Sequence, residues 1–208
     1  MTKLELFLYL APLLVGSMVL HELAHALVAT RLGDPTPGEQ GRLTLNPLVH
    51  LDPLGTAMFG ITYWLSSFIF GWAKPVLVQP RHFRHPQRGM ALVAVAGPVT
   101  NFLIAVGAAA ALVHGDFGLR TDQVLSLLYR VNVILGIFNL FPIPPLDGSR
   151  IVGAFLSPRA YVQWSQLDQY GMFILFGVII FLREPFSEFM ASALARVTDV
   201  VRVLVGGG

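Results

Sequence analysis

His21-Glu22-Leu23-Ala24-His25 lies inside an apolar stretch of the kind that spans a bilayer, and it sets the terms for the rest of the chain. Residues 6–20 contain no Asp, Glu, Lys or Arg, and neither do residues 23–30. A carboxylate flanked by two imidazoles at such depth is costly unless it serves chemistry. On a helix, His21 and His25 stand one turn apart on one face, so both rings can reach a single metal ion. Glu22 projects beside them, where it could polarise a water at that metal.

The composition points the same way. The chain has 208 residues, of which 12% are charged, about half the share usual in soluble domains. The mean hydropathy is +0.65. A net charge of +2 gives no reason to expect a nucleic-acid partner. There is no cysteine, so any metal must be held by His, Asp or Glu. The first apolar run has no small-residue cleavage site and carries the His-Glu motif, so it is expected to be a retained helix rather than a signal peptide.

Four apolar stretches are long or nearly long enough to cross hydrocarbon: residues 4–30, 53–73, 89–115 and 126–146. Residues 169–182 form a shorter fifth. In residues 186–205 the apolar positions fall on one helical stripe, which suits an interfacial helix or one packed on the bundle. The pattern predicts an all-α polytopic membrane protein with a three-helix core, peripheral helices and short membrane-associated strands. It reads as one membrane domain over 1–208, with its core at about 4–155 and C-terminal helices at about 169–205. Residues 41–46 and 74–79 supply the expected strands, since β-branched and alternating residues lie there beside prolines.

Topology follows from charge and depth. Residues 72–89 hold Lys74, Arg81, Arg84 and Arg88 and no acid, which places that loop in the cytoplasm. The best candidate to complete a metal site is Asp147, in Asn139-Leu140-Phe141-Pro142-Ile143-Pro144-Pro145-Leu146-Asp147-Gly148, which could instead simply begin a cytoplasmic loop. The prolines break helical pairing and let Asp147 turn inward, and Gly148 permits the close turn that follows. A shared metal favours a parallel course for the helices that carry His21 and lead to Asp147. Residues 53–73 would then be re-entrant or otherwise not a simple single crossing, whereas hydropathy alone reads them as a plain span. His50 and Asp52 either cap a turn or regulate the site by approaching the metal. His82, His85 and His114 are expected at the headgroup or solvent boundary.

His21–His25, Gly97-Pro98-Val99-Thr100-Asn101 and Asn139…Pro142…Leu146-Asp147-Gly148 together resemble the site-2 protease family of intramembrane zinc metalloproteases. The compact bacterial branch without a PDZ or other soluble regulatory domain is the most similar. Ala24 stands where many family members have Gly, and the periplasmic domain that some use to screen substrates is absent. The resemblance implies one zinc ion per chain held by His21, His25 and Asp147. It implies Glu22 as general base and then general acid, and Asn139 on the substrate backbone or the oxyanion. Asn101, Gly97, Pro98 and Gly148 would support the site. The residues by themselves also allow Asn101 and Asn139 to serve helix packing.

The implied activity is hydrolysis of peptide bonds within transmembrane segments of other proteins, in a bacterial inner membrane, with the site toward the cytoplasm. Two other readings use the same residues: a non-catalytic protein that binds membrane helices, and a divalent-metal carrier. A carrier would be expected to show internal repeats and several intramembrane acids, and the chain shows neither.

Overall fold

Thr2 opens the first helix by accepting from the Glu5 amide, while the Glu5 carboxylate accepts from the Thr2 amide. The apolar run behind this reciprocal cap sustains α1 over Lys3–Arg31. A computed structural model describes residues 2–66 and 69–206. Among the described residues, α2 (Thr36–Glu39), α3 (Pro47–His50), α4 (Pro53–Leu65), α5 (Pro86–His114) and α6 (Leu119–Asn139) follow. Then come α7 (Asp147–Gly153), α8 (Pro158–Ser165), α9 (Gly171–Phe181) and α10 (Arg183–Leu204).

The centre is a three-helix packing of α1, α5 and α6. His25 meets Val93 while His21 meets Asn101, so α1 and α5 run antiparallel. Ser17 meets Asn132, and the α1 histidines meet Asp147 just beyond the end of α6, so α1 and α6 run parallel. That is the arrangement a shared ligand set requires. Small and branched residues close the seams, with Ala29 against Val93, and Ala105 against Val133 and Ile137.

α1 and α5, 29 residues each, are long and apolar enough to cross a membrane. The other two long apolar stretches behave differently. α4 has 13 residues and spans about 20 Å, short of the roughly 30 Å of hydrocarbon. Beyond it the chain folds back along its own helix. Phe70 returns a backbone bond to the Thr62 hydroxyl, and Leu51 pairs with Ala73 in an isolated antiparallel bridge. Residues 51 and 73 therefore lie side by side, which a single straight helix over 53–73 would not allow. The stretch at 126–146 divides at the end of α6, and its proline-rich remainder carries the chain as turns into α7.

The expected strands are a correction. No strand ladder occurs among the described residues, and 41–46 form turns and bends. Residues 74–79 are neither helix nor strand, and side chains and α3 hold them. The amide of Lys74 donates to His50 O (2.8 Å), that of Val76 to Glu22 Oε2 (3.0 Å) and that of Gln79 to Asp34 Oδ2 (2.7 Å). These donors, which a partner strand would have used, are already satisfied. Arg42 adds a clamp, its buried guanidinium donating to Val49 O and Lys74 O. Asp34 anchors this segment, a strap over residues 74–79. Burial pushes its carboxyl up, but hydrogen bonds from the Thr36 hydroxyl, the Gln79 and Thr36 amides and His82 outweigh burial and hold it below the ordinary carboxylate value.

At the C-terminal end, Leu175 of α9 packs with Phe70 and Leu146. The apolar stripe of α10 lies on the bundle, with Met190, Ala193, Leu194 and Val197 against the Ala105–Val133–Ile137 cluster. Tyr129 donates to the Thr198 hydroxyl across the same seam (3.0 Å). The stripe therefore packs on protein rather than serving only as an interfacial surface. Phe189 and Leu204 remain exposed.

Candidate metal centre

α1 brings His21 and His25 to one face, one turn apart, with both rings buried. Each ring is held from behind through Nδ1. His25 Nδ1 lies 2.7 Å from Val93 O, and a carbonyl only accepts, so Nδ1 carries the proton. His21 Nδ1 lies 2.6 Å from Asn101 Oδ1. In the neutral rings each Nε2 is then left with a lone pair, and the two Nε2 atoms face each other at 3.0 Å. Two such lone pairs repel unless something positive lies between them.

Asp147 completes the triangle. Its Oδ2 stands 3.2 Å from His21 Nε2 and 3.3 Å from His25 Nε2, is buried, and makes no hydrogen bond. A tetrahedral zinc with ligands at about 2.0–2.2 Å holds neighbouring donor atoms about 3.3 Å apart. His21, His25 and Asp147 can thus hold a zinc ion, and they form the one group of three such residues found among the described residues.

Two glycines make the space. A Cβ at Gly97 would lie 2.5 Å from the Nε2 atoms of both histidines, so any side chain on that face of α5 would fill the position between them. At Gly148 a Cβ would lie 2.1 Å from Leu140 O. Gly148 is needed for this close approach of the Leu140–Phe141 carbonyls to the start of α7, and it is not among the glycines of positive φ. Pro98 is buried inside α5 and removes one helical donor there.

Glu22 sits beside the histidines on α1, partly buried, with Oε2 accepting the Val76 amide. Asn139 ends α6, and its Nδ2 donates to Leu135 O at 3.0 Å within its own helix. His50 is buried with Nε2 bonded to Thr44 O, and Asp52 caps α4 by accepting from the Gly55 amide. Neither joins the ligand triangle. His82 bonds to Asp34 at 2.8 Å and so belongs to the strap.

Sequence reasoning did not find Ser17, Asn132 or Asp34. Asn132 is fully buried, bonded to both Asn101 and Ser17, and Ser17 is buried one turn before His21. Their signal was their polarity within uncharged runs, together with spacing: Ser17 lies four residues before His21, and Asn132 seven before Asn139. Asp34, in a polar loop, gave no such signal.

The profile of "Peptidase family M50" matches residues 117–182. Over 185 residues the chain is 40% identical to YwhC of Bacillus subtilis, a protein named provisionally as a zinc metalloprotease. That match covers 85% of this chain and 81% of YwhC. Identity to Rip2 of Mycolicibacterium smegmatis, named in the same provisional way, is 31% over 81% of this chain and 64% of Rip2. Identity to the zinc metalloprotease MJ0392 of Methanocaldococcus jannaschii is 27% over 90% of this chain and half of that protein. No solved structure matches the chain.

Proposed function

We propose, from the premise that this chain belongs to peptidase family M50, the site-2 proteases, and is a zinc metalloprotease, that it cleaves transmembrane segments of other proteins within the bilayer. His21, His25 and Asp147 hold one zinc ion per chain. The observation that carries this reading is the convergence of the His21 and His25 Nε2 atoms, 3.0 Å apart, on a buried carboxylate oxygen without a hydrogen bond.

Zinc at this position supplies Lewis acidity, which makes water nucleophilic near neutral pH and polarises a carbonyl. Glu22 takes the proton of the attacking water and passes it to the leaving amine. Its carboxylate already accepts a main-chain N–H from a non-helical segment, as it could from an unwound substrate. Val93 O and Asn101 keep the Nδ1 protons of the histidines in place, so that both Nε2 lone pairs point inward. A transmembrane substrate must unwind near the cut, because helical carbonyls are engaged and shielded. Asn139 is available to the substrate backbone if its amide leaves Leu135 O.

The basic loop at residues 72–89 supports a cytoplasmic position for the end of α1 that carries the site, with the N-terminus on the far side. The two long apolar helices, α1 and α5, support a place in a membrane.

The test is cleavage of a helical membrane-protein reporter by purified protein in detergent and in proteoliposomes. Hydrolysis is expected to stop with o-phenanthroline and to return with added zinc. Binding of the reporter without cleavage would support the helix-binding alternative. Zinc movement into vesicles without cleavage would support the carrier. Cleavage confined to soluble peptides would remove the intramembrane part of the proposal.

A further inference from the structure

The two histidines are held by acceptors of different kinds. Val93 O can only accept, so the orientation of His25 is unambiguous. Asn101 is an amide and could present either its oxygen or its NH2 to His21. With the NH2 turned inward, His21 would carry its proton on Nε2, the nitrogen that faces His25 and Asp147, and could not bind a metal there.

The choice is made two residues further away. Asn101 Nδ2 donates to Asn132 Oδ1 at 2.9 Å. Asn132 Nδ2 donates to Ser17 Oγ at 2.8 Å and to Leu128 O at 2.9 Å. Ser17 Oγ donates to Leu13 O at 2.8 Å. The chain ends on two backbone carbonyls that cannot donate. Turning Asn132 over would set its oxygen against Leu128 O. Turning Asn101 over alone would set its oxygen against Asn132 Oδ1. Asn101 and Asn132 are fully buried and Ser17 nearly so, so no bulk water competes for these bonds.

We infer that Asn132, anchored on Leu128 O and Ser17, is a positioning residue that fixes the amide of Asn101 and through it the metal-binding tautomer of His21. The inference rests on His21 being a zinc ligand. It also links the three core helices: α6 supplies Asn132, α5 supplies Asn101, and α1 supplies both Ser17 and His21.

The test is zinc affinity, measured by competition with a chromogenic chelator, and the visible absorption band of the cobalt-substituted protein. Asn132→Leu, similar in size but apolar, releases the Asn101 amide. Zinc affinity is expected to fall about 10- to 100-fold and the cobalt band to change, as when an outer partner of a metal-ligating histidine is lost. Asn132→Asp is the rescue. In this buried site the acid is neutral, keeps an acceptor for Asn101 and offers an O–H to Leu128 O, so affinity is expected within about threefold of the native protein. Asn132→Ser is too short to reach Asn101 and inserts no apolar bulk, so it gives the same reading as Asn132→Leu should that variant not fold. His21→Ala is the control for the ligand assignment. If His21→Ala binds zinc normally, the metal-site reading itself fails. If His21→Ala loses zinc but Asn132→Leu and Asn132→Ser bind it normally, or Asn132→Asp is as weak as they are, the positioning role is overturned and the site stands.

Discussion

Glu22→Gln is expected to keep its zinc and to lose about 10²- to 10⁴-fold in peptide hydrolysis, the usual contribution of a positioned acid–base group. The substitution is conservative in every other respect. The amide oxygen it introduces can still accept from the Val76 amide, so the strap at residues 74–79 stays where it is. Glu22 is outside the group formed by His21, His25 and Asp147, so zinc content should not change. What is lost is a carboxylate able to take a proton and return it. Zinc by atomic absorption and turnover of the membrane reporter, measured on the same preparation, separate the two functions. Normal turnover in Glu22→Gln would end the proposed role.

Asp147→Ala should act on the metal itself. Asp147 is the sole anion in the triangle and the only donor contributed from beyond α6. Without it, two neutral imidazoles remain, one ligand short of the three protein ligands usual for hydrolytic zinc. Zinc affinity is expected to fall by more than the roughly 10- to 100-fold seen when an outer partner is removed, and hydrolysis should fall with it. The fold should persist, because the helices meet through apolar seams distant from Asp147, such as Ala105 with Val133 and Ile137. Equilibrium dialysis with zinc, alongside circular dichroism, checks both statements. Native zinc affinity in Asp147→Ala would place the ion elsewhere.

The convergence of His21, His25 and Asp147 was legible in the sequence because each of its parts has a local cause. Helical periodicity brings His21 and His25 to one face, and proline chemistry stops α6 and frees Asp147 to turn. The parallel course of α1 and α6 followed from requiring those parts to meet. That residues 53–73 do not form one long helix, since α4 stops at Leu65 and Ala73 pairs back with Leu51, was expected in turn, against their hydropathy.

The rest depends on how each helix is rotated about its axis. A helix apolar all round, such as α5, gives almost no amphipathic signal for that rotation. The sequence therefore could not show that Asn101 faces both His21 and Asn132 rather than only a packing seam. The strap was misread for a different reason. Val76, Val78 and the flanking prolines have the composition of an edge strand, but backbone pairing depends on what lies alongside. Here Glu22 and Asp34, more than 40 residues earlier in the chain, take the amides first. His50 and Asp52 show the opposite case, in which local chemistry was sufficient: Asp52 caps α4, as an Asp directly before a proline-led helix should.

The most direct measurement is an anomalous difference map collected at the zinc absorption edge from crystals of the zinc-loaded protein. One peak per chain is expected, within about 2.0–2.2 Å of His21 Nε2, His25 Nε2 and an Asp147 carboxylate oxygen. A peak away from these three atoms, or none at full zinc loading, would contradict the assignment of the metal centre.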